Sequence, residues 1–305
     1  MKERPFLYIS LFLVGFLFFF YLTFPYGVLK ESIFAEVGKA SGYSIQVKHF
    51  GPSLPLGFEG ENIKVTSKDG SQSIELQEFD VTISLLSLLI GNISVDLDLV
   101  SKNKGDMALN VTWGILQLAL DQNFIPSSIE LDAENFEIGS LANFGLQVYA
   151  KNANDLIKGT LVKMRIKGNL QGTTELDLAV DDPVSSSGKI DLKIVKGSLD
   201  LNDPGLGVDK QNFKKADVSA ILEKGTLRIS PKSGFETQEL NVKFTGSTEL
   251  RNPVPKSRLN LGLGVNLSGK LKDNFDFVLS MAGGNDGGLK YQLGGTFGRP
   301  SFKAQ

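Results

Sequence analysis

Few residues of this chain have the types and spacing that chemistry needs. It carries one histidine, His49, and no cysteine. A Ser/His/Asp relay would therefore rest on His49 alone, and no Gly-x-Ser-x-Gly elbow presents a serine to it. Flanked by Lys48 and Phe50 at a strand end, His49 reads as a surface or capping residue. Two carboxylate pairs, Asp96/Asp98 and Asp181/Asp182, suggest metal binding or acid–base work. The first pair lies on the outward row of an alternating strand and the second precedes Pro183 in a turn, so solvation and turn capping account for both. Gly262-x-Gly264 sits inside an alternating run, where a phosphate loop would need a strand end leading into a helix. Gly283–Gly288 offers one copy of a calcium-type Gly/Asp pattern that works only in stacked copies, and reads better as a hairpin turn. The acceptor patterns at Asn92, Asn110 and Asn266 fall within strands. No catalytic, cofactor-binding or metal-binding residue is assigned, and the expectation is a protein that is not an enzyme.

The elements around these residues are mostly strands. From Ser44 onward the hydrophobic period is two: Ile93, Val95, Leu97 and Leu99 alternate with Ser94, Asp96 and Asp98. The pattern returns at Met107–Trp113, Leu176–Val180, Ile190–Ile194, Leu240–Phe244, Leu259–Leu267 and Phe275–Met281. Such alternation sets one row of each strand against an apolar interior and the other towards water. Ile74 and Leu76 keep even positions while Phe79, Val81, Ile83 and Leu85 keep odd ones, which predicts a bulge or bend near Gln77-Glu78. Turn-like connections occur at Lys68–Gly70, Lys102–Gly105, Asp181–Gly188, Asn202–Gly205, Arg251–Pro255 and Gly283–Gly288. About fourteen to seventeen strands follow from this spacing. Leu85–Ile90 and Asn154–Lys163 interrupt the pattern, the first also being readable as a buried strand. So many strands cannot stay flat, and twist predicts a long, curled, mainly antiparallel sheet that forms an open groove.

Ahead of the sheet stands an apolar run, Phe6–Phe24, without a charge. At ~1.5 Å per residue it reaches roughly 28 Å, near the thickness of a bilayer's hydrocarbon. Lys2 and Arg4 precede it, which predicts a cytoplasmic N-terminus and an uncleaved single span. Pro25–Ala40 predicts a short amphipathic helix, with Thr23 as cap, Leu29, Ile33 and Val37 on one face and Gly42 at its end. This helix would lie at the membrane surface or plug an end of the sheet, and its small exposed basic content favours the plug. The expected organisation is a tail at 1–5, an anchor at 6–24, a helix at 25–41 and a β-rich periplasmic body at 42–305. Beyond the tail, 30 basic and 33 acidic side chains leave a net charge of −3, which excludes the basic footprint of a nucleic-acid binder. Without cysteine, no disulfide holds the fold.

Several segments together resemble the type II secretion system protein N family of Gram-negative bacteria. They are Phe24-Pro25-Tyr26, Ser53-Leu54-Pro55-Leu56-Gly57-Phe58, Ser84–Gly91 and the closing Tyr291–Pro300. The layout is also similar to AsmA-like proteins, in which a curled sheet forms an apolar groove. The resemblance implies a non-catalytic inner-membrane component of protein export, with secretion-system proteins as partners and no catalytic residue to carry over. The AsmA-like layout implies the alternative, a groove protein that handles lipid acyl chains. Ser140–Leu170 matches the family pattern least.

Overall fold

The computed structural model describes residues 43–67, 73–120, 124–151, 163–179, 181–200, 210–281 and 288–304, together with Phe12, Gly15, Phe19, Thr23, 30–32 and 34–36. Seventeen strands form one sheet. β1 (Tyr43–Gln46) and β2 (His49–Ser53) share one edge of β3 (Gly57–Ser67), like a single strand broken at Val47-Lys48. From β3 the ladder runs strand by strand through β4 (Ser73–Ile83), β5 (Asn92–Val100), β6 (Asp106–Gly114), β7 (Ser128–Glu137), β8 (Arg165–Asp177) and β9 (Ser187–Asp200). β10 (Gln211–Asn212) and β11 (Lys215–Glu223) lie beside β9. β12 (Thr226–Ile229) and β13 (Gly234–Glu236) then join β11 to β14 (Leu240–Glu249). β15 (Arg258–Leu267), β16 (Gly288–Thr296) and β17 (Arg299–Ala304) complete the order. Every one of these ladders is antiparallel, as sequential strands joined by short turns require.

Alternation in the sequence becomes two faces. Val81, Leu97, Leu109, Leu131, Thr174, Ile190, Ala220 and Ile229 stand opposite one another on successive strands. One residue along, Glu59, Asp80, Asp98, Ala108, Asp132, Thr173, Asp191 and Ser219 form the matching polar row. A slip of one residue anywhere would exchange the two faces, so the pattern itself fixes the register.

The strands share two ends. At one end a line of kinks crosses the sheet. Asn62, Asn135 and Lys196 have φ of 52°, 56° and 51°, in the left-handed region that disfavours L side chains. The register shifts between Ala133 and Phe136 and again between Lys167 and Asn169. The bend expected near Gln77-Glu78 is here: Asn62 stands opposite Gln77, the pairs Glu61↔Glu78 and Ile63↔Leu76 flank it in one register, and burial moves from Gly60 to Ile63. Both strands step together, so neither gains a residue on the other. Beyond this crease Ile63, Ile74, Leu199 and the fully buried Phe136 make a core.

Helices α1 (Leu85–Leu89) and α2 (Ile115–Leu120) lie at the other end of the sheet, and α3 (Gly139–Lys151) covers the creased one. Its Asn143 side chain accepts the Ile166 N–H at 2.7 Å and donates to the Ile166 carbonyl at 3.1 Å, replacing the strand partner that β7 no longer supplies. The next residue, Phe144, packs on Tyr43 of β1 with ring centroids 4.9 Å apart. β8 and β1 lie six ladder steps apart, about 29 Å in a flat sheet. Contacts from two adjacent helix residues bridge them only because the sheet curls.

Two strand expectations are corrected. Phe275–Met281 belongs to a helix, α4 (Gly269–Met281), not to a strand. Its first N–H groups, at Lys270 and Leu271, donate to the Glu239 carboxylate at 3.2 and 3.3 Å, a cap delivered from a distant turn. β8 ends at Asp177, short of the expected Leu178–Val180. The Asn154–Lys163 segment apart from Lys163, and the turns Lys68–Gly70 and Asn202–Gly205, lie outside the described residues, as does most of Gly283–Gly288.

Most of the apolar run Phe6–Phe24 also lies outside them; Phe12, Gly15, Phe19 and Thr23 are helical. Among the described residues no helix is long and apolar enough to cross a membrane. Thr23 does not cap the following helix: its hydroxyl donates back to the Phe19 carbonyl at 2.7 Å. Residues 30–32 and 34–36 are helical, and Phe34 packs edge-on against Phe50 of β2 at 5.4 Å. This segment therefore touches the sheet at β2; Leu29, Ile33, Val37 and Gly42 are outside the described residues.

Candidate functional site

The apolar face is the feature that sequence alternation builds across the whole molecule. On β5 and β6 its side chains Ile93, Val95, Leu97, Leu99, Met107, Leu109, Val111 and Trp113 are only half-buried. The same holds on β15 for Leu261, Leu263 and Val265, while Leu259 is buried. A sheet face filled by a second layer would bury these rows almost completely. Here the rows remain accessible.

The polar face holds the residues that the sequence singled out for chemistry. His49, Glu61 and Glu78 share one row, and Glu59, Asp80 and Asp98 the next, around an open depression of about 540 Å³. A second depression of about 420 Å³ is lined by Asp96, Asp98, Glu130, Asp132 and Glu175. Asp80 accepts a 2.6 Å bond from the Ser53 hydroxyl, and Asp96 one of 2.6 Å from the Asn110 amide. Burial pushes the Asp98 carboxyl above its ordinary value, and the neighbouring Asp80 and Asp96 charges push it further. The acids are spread in pairs over β3, β4, β5 and β7, with Glu175 on β8, rather than converging on a point. Among the described residues no group of three or more His, Asp or Glu is placed to hold a metal ion.

Asp181 and Asp182 lie instead in the β8–β9 turn, before the 3₁₀ segment Pro183–Ser185, where the Asp182 carboxylate accepts the Ser185 hydroxyl. Gly262 and Gly264 lie within β15, so they form no phosphate loop.

At the end opposite α3 the turns form a rim that sequence reading did not foresee as a unit. The Leu54–Leu56 turn lies here, with two short helices, α1 (Leu85–Leu89) and α2 (Ile115–Leu120). Ser84 caps α1, its Oγ accepting the Ser87 N–H at 3.3 Å. The expected break in the β-pattern at Leu85–Ile90 is thus helical. Ten of the fourteen exposed large apolar side chains among the described residues stand on this rim. Its turns are also tied to one another. Ile83 donates to the Leu56 carbonyl at 2.8 Å, Ile115 to Gly91 at 3.0 Å and Leu178 to Ser127 at 2.7 Å. Leu250 donates to Gly225 at 2.8 Å and Phe297 to Ser257 at 3.0 Å. Buried serines lock two of the turns: Ser186 accepts the Ala179 N–H at 2.9 Å and Ser257 the Arg251 N–H at 3.0 Å.

Against known protein families, curated proteins and solved structures, the chain has no match. The signal for the rim was present in the sequence as uncharged apolar turns. What it lacked was the register that brings turns tens of residues apart to one end.

Proposed function

We propose that this chain is a non-catalytic cell-envelope protein that holds lipid acyl chains against the apolar face of its curled sheet. The observation that carries the reading is the continuous apolar face whose side chains stay half-buried across β5, β6 and β15. Burying a methylene there instead of in water is worth up to about 0.8 kcal/mol. Relative to a bilayer interior the gain is near zero, since lipid tails are as apolar as leucine. Such a face carries chains passively between membranes and does not trap them. The expected single span at Phe6–Phe24 would hold the body on the periplasmic side of the inner membrane. A reporter active only outside the cytoplasm, fused after Gln305, would then work.

The test is mass spectrometry of lipids that copurify with the full chain in mild detergent. Bound acyl lipid should fall several-fold in Leu109→Glu, which sets a charge in the apolar row, and stay level in Asn110→Asp on the other face. Equal recovery from both variants would end this reading. His49→Ala should leave the role intact.

A second reading is favoured by one observation. Ser53–Phe58, Ser84–Gly91 and the turn within Tyr291–Pro300, three of the four segments that resemble the type II secretion protein N family, stand at the same end of the sheet, and the fourth, Phe24-Pro25-Tyr26, lies outside the described residues. Under that reading the rim holds secretion-system partners, and deletion should lower release of folded exoproteins while their entry into the periplasm stays normal. Under the lipid reading, deletion should raise outer-membrane permeability instead.

A further inference from the structure

We propose that the rim carrying α1 and α2 docks on the surface of an anionic lipid bilayer. This goes beyond the groove reading and stands on separate observations. The apolar side chains sit on different turns spread from β2 to β17, with Leu89 and Leu86 at 84% and 72% exposure. They line neither one groove nor one free strand edge, so a peptide segment has no track to follow, whereas a surface meets all the tips at once. Ser84–Ile90 and Ile115–Leu120 carry no charge at all, which suits insertion among headgroups and acyl chains.

The charge of the rim is uneven: Asp181, Asp182 and Glu223 stand exposed at the β8–β9 and β11–β12 turns, whereas the sector beside Phe297 is complementary to anionic headgroups. Around the β14–β15 and β16–β17 turns stand Arg251, Lys256, Arg258 and Arg299, the last three exposed, with Phe297 beside them. Glu249 is the acid of this group, and it pairs with Arg251 at 2.9 Å. Three exposed cations remain next to apolar tips, the combination that binds an anionic surface. The turns are already fixed by their mutual backbone bonds, so docking orders little new structure.

The chain has no cysteine, so single labels can be placed in the full-length protein. Leu89→Cys and, at the opposite end, exposed Lys167→Cys would each carry an environment-sensitive fluorophore, with the protein reconstituted into phosphatidylcholine vesicles. Spin-labelled quencher lipid is then supplied either in the host vesicles or in added vesicles containing phosphatidylglycerol. The expected result is a blue shift and at least twofold quenching at Leu89→Cys by the phosphatidylglycerol vesicles, with little at Lys167→Cys; quenching by the phosphatidylcholine host alone would overturn the anionic assignment. The double change Lys256→Glu/Arg299→Glu should abolish the preference for phosphatidylglycerol over phosphatidylcholine. No quenching from either bilayer, or equal quenching at both labels, would overturn the proposal. So would a blue shift that appears only when envelope proteins are added, which would make the rim a protein-docking site. Acyl-lipid recovery from the Leu109→Glu variant is measured apart from this, so failure of the groove reading and failure of rim docking give different results.

Discussion

The two ends of the sheet are built from the same strands and treat their apolar side chains in opposite ways. At the creased end Phe136 is completely buried, Ile63, Ile74 and Leu199 surround the same layer, and α3 lies across it. An amide network reinforces the crease: Asn169 donates to the Asn135 side chain at 2.7 Å, and Asn103 donates to Asn169 at 3.2 Å. At the rim, leucines stand in solvent on turns that are hydrogen-bonded to one another but bury little. Order there comes from the backbone, and order at the crease from side-chain packing. Exposure at the rim is therefore no sign of loose structure. Large exposed apolar groupings on an ordered scaffold mark a surface awaiting contact.

The largest effect separates the ends directly. Phe136→Ala should cost about 3–5 kcal/mol, because the cavity lies in a packed layer. Leu89→Ala on the rim should stay within about 0.5 kcal/mol, since its side chain is already in water. Urea unfolding of the full chain in detergent measures both. A cost at Leu89 comparable to that at Phe136 would make the rim part of the core and break the comparison.

Glycine changes sharpen it next. A Cβ at Gly105 would lie 1.9 Å from the Asn135 carbonyl oxygen, against backbone that the crease holds in place. Gly105→Ala should therefore cost about 1–3 kcal/mol through strain. Gly91, on the rim, has φ of 85° and no atom within 4 Å of the added carbon. Gly91→Ala should cost about 1 kcal/mol, from backbone conformation alone. If Gly91→Ala proved the worse of the two, the rim would be the tighter structure.

The sheet was legible because its period of two is local and repeats in nearly every strand, from Ile93–Leu99 to Leu259–Leu267. The bend at Asn62 was legible too, as a change of parity between Leu76 and Phe79. Helix α4 was not, because Phe275–Met281 alternates as a strand does and the cap that decides comes from Glu239, in a different hairpin. The crease was hidden for a similar reason. Asn135, Asn169 and Asn103 read singly as turn residues, and only pairing across β7 and β8 makes them a network. Of the site, the apolar rows were legible. The grouping of His49 with Glu61 and Glu78 was not, since it depends on cross-strand register.

Serine contrasts the ends at smaller scale. Buried Ser101 donates to the Gly105 carbonyl at 2.9 Å and accepts the Glu137 N–H at 3.2 Å. Ser101→Ala would leave the Glu137 N–H without this acceptor, a loss of about 1–3 kcal/mol, while the Gly105 carbonyl keeps the Ser101 backbone N–H. Ser84→Ala removes only a long cap from a five-residue helix and should cost about 0.5 kcal/mol. Thermal unfolding should rank the two in this order, and the reverse order would mean that α1 is essential to the rim.

The smallest effect is electrostatic and has opposite signs at two sites. Asp98, on the polar face, is raised by burial and then by Asp80 and Asp96. A carboxyl that holds its proton more tightly when folded costs stability once ionised. That cost is absent below the unfolded value and develops as pH rises through the ordinary range to the raised one. Asp98→Asn should therefore be more stable than the parent at neutral pH, with the difference vanishing in acid. Glu75, at the creased end, is lowered first by the Lys102 hydrogen bond and then by Lys64, which lies 3.0 Å away. Its contribution is present above the ordinary carboxylate value and lost as pH falls through the lowered one. Glu75→Gln should therefore be less stable at neutral pH, again converging in acid. Solvent screens both groups, so each difference should be on the order of a few tenths of a kcal/mol. Unfolding midpoints measured from neutral pH downward would show two curves approaching the parent from opposite sides. If Asp98→Asn lay below the parent at every pH, its carboxylate would be holding the polar face together instead of straining it.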